Sequence, residues 1–214
     1  QGLLREHDEA LASIPHRRLF VADVGYDIGA YLQAAAALDC DHLCFLNSFS
    51  RPCDPEWLAK LHRYCGQGGV GIVGATGSWQ SIYSDSLSPP DAEAEALGLP
   101  PQGRTANWPP WLRRIVRGLK HRLLRAYFRR IFPPFPNYHV RTNGFLIPRR
   151  LLLAIEAPTI RWKMDGYRFE SGTRSLTRQI LAKGLRPVLV GRDGRAYEKE
   201  AWPASNTFWQ EEQQ

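Results

Sequence analysis

Asp165 and Glu170 stand five residues apart in an aromatic stretch, Met164-Asp165-Gly166-Tyr167-Arg168-Phe169-Glu170, just ahead of Ser171-Gly172-Thr173. A carboxylate at the start of a helix can act as a general base toward a hydroxyl, or as a cap and dipole partner. A second group is Gly25-Tyr26-Asp27-Ile28-Gly29-Ala30. Its glycines permit a tight turn and close backbone approach, and Asp27 can accept hydrogen bonds from a ribose or a base. Any strand-to-helix turn can carry two glycines for packing alone. Asn47-Ser48-Phe49-Ser50 follows an apolar run at a place where a metal-binding acid would be useful, and it contains none. Asp39 and Asp41 precede that run, while Asp54, followed by Pro55 and Glu56, reads as a helix cap.

The four cysteines, Cys40, Cys44, Cys53 and Cys65, follow C-x3-C-x8-C-x11-C. That is not the paired spacing of a zinc site, so they read as buried free thiols in a reducing, cytoplasmic compartment. No apolar run is long enough to cross a bilayer, and no signal-peptide pattern opens the chain. The first residue is Gln and not Met, so a fragment of a longer chain is expected.

These groups need a scaffold. Gly2–Ile14 reads as a helix ended by Pro15, and Arg18–Val24 (RLFVADV) as a strand. The helix Ala30–Leu38, the strand His42–Leu46, a helix from Asp54 to about Tyr64 and the strand Val70–Val73 follow. His139–Pro148 has strand character, Arg149–Ile155 is helical, Ser175–Ala182 is a helix closed by Gly184, and Pro187–Val190 is a last strand. Alternating strands and helices imply an α/β fold with a mostly parallel sheet, helices on both faces, and ligands beyond the strands' carboxyl ends. A single domain over 1–214 is expected, with an insertion at about 84–136 that begins as a Pro-, Ala- and Gly-rich loop.

The 214 residues carry a formal charge of +7, with 43% hydrophobic and 23% charged residues, a balance that excludes a disordered chain. Charge is concentrated in Trp111–Arg130 (WLRRIVRGLKHRLLRAYFRR), which holds eight Lys or Arg and no acid, leaving −1 for the other 194 residues. That is not the profile of a general nucleic-acid binder. At helical spacing Leu112, Ile115, Val116, Leu119, Leu123, Tyr127 and Ile131 fall on one face, away from Arg113, Arg117, Lys120 and His121. Such a helix either lies on an anionic membrane surface or packs its apolar stripe on the domain.

Taken in order, RLFVADVGYDIGAYLQAA, HLCFLNSFSRPCDPEWLAKL, VGIVGATGSW, HVRTNGFLIPRRLL and MDGYRFESGTRSLTRQILAKGLRPVLV resemble segments of inverting family 2 glycosyltransferases of the GT-A fold. The Gly-Tyr-Asp-Ile-Gly-Ala core is similar to that of bacterial rhamnan-synthesis and other polysaccharide transferases. The resemblance implies a GT-A-like, Rossmann-like sheet and transfer of a hexosyl or deoxyhexosyl unit from a nucleotide-diphosphate sugar to a saccharide or lipid-linked acceptor. It implies Glu170, or Asp165, as the general base, and Gly25, Asp27, Gly29 and Asn47 toward the nucleotide. Thr76, Trp79, Asn143 and Gly144 would line the acceptor side, with Arg178 on phosphate.

The sequence departs from the family at three places. Asn47-Ser48-Phe49 stands where the family carries the Asp-x-Asp that binds Mg²⁺ or Mn²⁺, the family's first strand has no counterpart before Gly2, and Gly184 lies further from Glu170 than the pattern has it. The implied setting is cytoplasmic, peripheral at the inner membrane face through Trp111–Arg130. The alternative reading is a non-catalytic GT-A-like domain that binds glycan or lipid, or partners a larger enzyme. A third, an α/β protein whose basic helix contacts nucleic-acid phosphate, is opposed by the −1 balance elsewhere.

Overall fold

A computed structural model of the chain describes residues 9, 11–86 and 109–209. Most of the expected helix Gly2–Ile14, and most of the Pro-rich loop ahead of the basic segment, lie outside these residues. Helix α1 spans Tyr26–Ala37 and turns Ile28, Tyr31 and Ala35 inward, the i, i+3, i+7 face of a helix. Strand β1 (His42–Leu46), helix α2 (Trp57–His62) and strand β2 (Val70–Gly74) follow. Asp54 accepts from the Glu56 N–H at 2.8 Å and so fixes the turn that leads into α2. Short β3 (Gly77–Ser78) and α3 (Ile82–Asp85) precede the basic helix α4 (Pro110–Ile131). Then come β4 (His139–Val140), β5 (Gly144–Pro148), α5 (Arg149–Leu153), α6 (Lys163–Ser171), α7 (Leu176–Ala182), β6 (Arg186–Val190) and β7 (Ala196–Tyr197). A 3₁₀ turn over Lys199–Ser205 and β8 (Phe208–Trp209) complete the described chain.

The fold is α/β, with a five-stranded mixed sheet ordered β1-β5-β2-β6-β7. A mostly parallel sheet was expected, but within this sheet only β2 and β6 pair in parallel. The reason is β5, which runs antiparallel between β1 and β2 and separates two strands that point the same way. A second, three-stranded sheet takes the order β4-β3-β8. The segment expected as one strand, His139–Pro148, breaks at Arg141-Thr142-Asn143, so its two halves serve different sheets. Arg18–Val24, expected as a strand, pairs with no described strand, and its Phe20 and Val24 are exposed.

Helices cover both faces of the main sheet, as expected. On one face Leu43, Phe45, Ile72, Phe145, Ile147 and Leu189 meet Ile28, Tyr31 and Ala35 of α1, Leu152 of α5, Phe169 of α6 and Ile180 of α7. On the other, Val70, Val73, Leu146, Val188 and Val190 pack with Leu61 of α2 and with Cys65. Phe145 sits at the centre of the first layer, 5.3 Å from the Phe45 ring and 5.9 Å from Tyr31. Truncating it to Ala would cost about 3–5 kcal/mol through lost burial and the cavity left behind. The cysteines were expected to be buried, and two are not. Cys65 is buried and Cys44 partly so, whereas Cys40 and Cys53 are exposed, and all four are free. Burial pushes the Cys44 thiol up to about 11 and Cys65 to about 12, so both stay protonated.

Candidate functional site

Because β1, β2 and β6 point the same way, their carboxyl ends open on one edge of the sheet, facing the amino end of β5. A cleft of about 680 Å³ lies there, the size of a small-molecule site. Leu46 and Asn47 enter it from β1, Ala75 and Thr76 from β2, Val190, Gly191 and Arg192 from β6, and Asn143 and Gly144 from β5. The loop Phe49–Asp54 and the start of α2 close one side.

Four of the residues expected to bind substrate therefore come together, Asn47, Thr76, Asn143 and Gly144, with nucleotide-side and acceptor-side candidates mixed. Asn143 holds them in register. Its carbonyl accepts from the Asn47 N–H at 3.1 Å and from the Ser50 hydroxyl at 2.6 Å, and its side-chain oxygen accepts from the Thr76 hydroxyl at 2.7 Å. Asn47 Oδ1 accepts from the Phe49 N–H at 3.2 Å and lies 2.8 Å from Ser50 Oγ, so the amide closes a turn.

The cleft is cationic. Arg51, Arg141, Arg192 and Lys60 line it, and its one acid, Asp54, is paired with Lys60 at 2.8 Å. Lys60 also donates to the Arg192 carbonyl at 2.9 Å and ties α2 to the β6–β7 turn. None of the four cations was singled out in the sequence, where lone basic residues carry no spacing signal. Among the described residues no group of three or more His, Cys, Asp or Glu side chains could hold a metal ion.

Glu170 does not line this cleft but joins it through Thr142, whose chain neighbours Arg141 and Asn143 do line it. Its Oε2 accepts from the Thr142 N–H at 3.0 Å and from the Thr142 hydroxyl. Its Oε1 faces Nε2 of buried His139 at 3.8 Å. Nδ1 of His139 lies 2.7 Å from the Asn137 carbonyl, which can only accept, so Nδ1 carries the proton and a neutral ring turns a lone pair toward Glu170. Burial is the main force holding His139 below the usual imidazole range, and Arg141 adds to it, against the pull of Glu170 and Asn137.

Tyr31 adds a donor. Its hydroxyl is the one buried side-chain polar atom among the described residues without a hydrogen-bond partner. Burial, then the charges of Asp27 and Glu170, raise its pKa, which keeps the proton on oxygen. Neither His139, Thr142 nor Tyr31 was singled out in the sequence. For His139 and Thr142 the only signal was their place in HVRTNG.

The remaining candidates sit elsewhere. Asp165 Oδ2 accepts from the Arg161 and Trp162 N–H groups, each at 3.0 Å, and Oδ1 faces Arg168 at 3.6 Å, the arrangement of a helix cap. Those bonds hold its carboxyl below the usual range. Asp27 is exposed in the first turn of α1. Gly25 takes a left-handed φ of +88°, and a Cβ on Gly29 would stand 2.1 Å from the Val24 carbonyl oxygen, so both glycines have a packing reason. Trp79 packs edge-on to Phe135 and Tyr138, and Arg178 is exposed on α7; neither lines the cleft. No family model, no curated protein and no solved structure matches this chain.

Proposed function

We propose that the chain is an inverting glycosyltransferase with a GT-A-like fold, acting in polysaccharide biosynthesis. It moves a sugar from a nucleotide-diphosphate donor to a saccharide or lipid-linked acceptor. One juxtaposition carries this reading: a cationic cleft at the carboxyl ends of β1, β2 and β6, with Glu170 held beside it by Thr142.

In this reading Arg51, Arg141 and Arg192 meet the diphosphate, while Asn47, Thr76, Asn143 and Gly144 shape the floor on which nucleotide and acceptor meet. Glu170 is the base. Oε2 is occupied by Thr142, so Oε1 receives the acceptor's hydroxyl proton, and the neutral His139 ring is positioned to share it. The acceptor oxygen bonds to the anomeric carbon from the face opposite the leaving group. The bond from that carbon to the diphosphate oxygen breaks, the configuration inverts, and the arginines take up the charge that develops.

Mg²⁺ or Mn²⁺ is the expected companion of such a diphosphate. Asn47, Ser48 and Phe49 supply no carboxylate where the ion would sit, and no converging acids replace them among the described residues. The residues do not fit a resident divalent ion.

The test is sugar release and transfer from UDP-, GDP- and dTDP-sugars, with Glu170→Gln as the control. Turnover that falls about a hundredfold or more in the variant, with nucleotide binding retained, supports the transferase. Equal turnover in both proteins contradicts it. The turn-closing role of Asn47 favours one second reading, a non-catalytic glycan- or lipid-binding domain on the same fold, for which nucleotide-sugars would not be turned over at all.

A further inference from the structure

Helix α4 presents the middle of its apolar stripe, Ile115 to Tyr127, to solvent, while Leu112 and Ile131 at its ends are half-buried. Ile115 is 60% exposed, Leu119 57% and Leu123 64%, with Trp111 and Tyr127 exposed beside them. The attachment to the body lies along one flank, where Arg122, Arg125, Ala126 and Arg129 line a shallow pocket with Tyr83 of α3, and at one end. Phe128, about half a helical turn around from Leu119, is half-buried, its ring 5.9 Å from that of Phe132, which is fully buried. The Ile131 carbonyl accepts from the Thr173 N–H at 2.7 Å. The middle of the stripe is therefore not the surface that packs α4 on the fold.

A face of this kind needs a partner that accepts apolar side chains and opposes eight positive charges within twenty residues. Arg114, Lys120, Arg122, Arg125, Arg129 and Arg130 are exposed around and beside the stripe, and no acid interrupts them. We propose that α4 lies in the interface of an anionic lipid bilayer, with Ile115, Leu119 and Leu123 among the acyl chains and the arginines on the headgroup phosphates. An acidic protein groove would match the charge but would need a matching apolar stripe. A nucleic acid would leave three exposed aliphatic side chains in water. A lipid surface supplies both components along the whole helix. The anchor at Phe132 then fixes how the cleft sits over that surface. This inference stands whether or not the chain transfers sugar.

The experiment is cosedimentation of the whole chain with vesicles of phosphatidylcholine alone, or of phosphatidylcholine and phosphatidylglycerol in equal parts. Binding to the mixed vesicles, weakened by salt, and little to the neutral ones is expected. Each cation near the surface contributes about fivefold, so Arg122, Arg125 and Arg129 all changed to Gln should weaken binding about a hundredfold. The same three changed to Lys should bind within a few-fold of the parent. Leu119→Ser with Leu123→Ser, which leaves every charge in place, should abolish most of the binding. All these positions are exposed, and circular dichroism and thermal unfolding confirm that each variant folds. Equal affinity for both vesicles, or a Gln variant that binds like the parent, overturns the inference. So does a salt-sensitive affinity for RNA that exceeds the affinity for the mixed vesicles.

Discussion

Thr142 donates to Oε2 of Glu170 from two atoms, its backbone N–H at 3.0 Å and its hydroxyl. One carboxylate oxygen is thereby committed, and the other is left toward His139. In the proposed reaction this orients the base without consuming it. Thr142→Val removes the hydroxyl bond and keeps the backbone one. Steady-state kinetics should show kcat lowered about tenfold with KM nearly unchanged, a smaller loss than in Glu170→Gln.

His139 should also appear in the pH dependence of stability. Its folded pKa lies below 6.5 because burial disfavours the imidazolium. Between the two values the unfolded chain binds the proton and the folded one does not, so stability is complete above pH 6.5 and falls as the pH drops through that window. Asp54, Asp165 and Asp193, held below 3.8, titrate lower and leave the window clear. Thermal unfolding between pH 7.5 and 5 should show the loss in the parent and a flatter profile in His139→Gln.

Asp165 and Glu170 divide into two roles. Asp165 satisfies the Arg161 and Trp162 N–H groups at the start of α6, so Asp165→Ala should cost about 1 kcal/mol in urea unfolding. Its kcat at a temperature where the variant is folded should stay within a few-fold of the parent. A loss as large as that of Glu170→Gln would reverse the assignment.

Gly29 should be the least replaceable residue of the turn into α1. An alanine there places a methyl carbon 2.1 Å from the Val24 carbonyl oxygen, a clash only backbone movement can relieve. Gly29→Ala should lose about 3 kcal/mol or more, and Gly25→Ala, at a φ of +88°, about 1–3 kcal/mol. Urea denaturation of both variants measures this.

Local pattern made several elements legible. Val70–Val73 and His42–Leu46 are short β-rich runs, and Ser175 and Gly184 bracket α7 as its cap and its stop. Pairing is non-local and was not legible. Nothing in Gly144–Pro148 announces that it inserts between β1 and β2 and reverses the local strand sense. Arg18–Val24 has strand composition, but a strand needs a neighbour, and none of the described strands pairs with it. In the site, Asn47 and Thr76 follow strand ends that the sequence shows, whereas Asn143 and Gly144 fall inside the run His139–Pro148 and were reached only through the glycosyltransferase resemblance. Arg51, Arg192 and His139 did not stand out, because what makes them notable is three-dimensional convergence of segments far apart in sequence.

In the proposed reaction the cleft beside Glu170 holds a nucleoside diphosphate, and Cys53 reports on it directly. Cys53 is exposed and lines the cleft, whereas Cys40 is exposed and lies outside it. The measurement is the alkylation rate of each thiol by mass spectrometry, with UDP-, GDP- and dTDP-sugars added in turn. With one of them at about ten times its Kd, Cys53 should slow about tenfold while Cys40 does not change. Unchanged labelling of Cys53 with every nucleotide, or equal slowing of both cysteines, would contradict that reading.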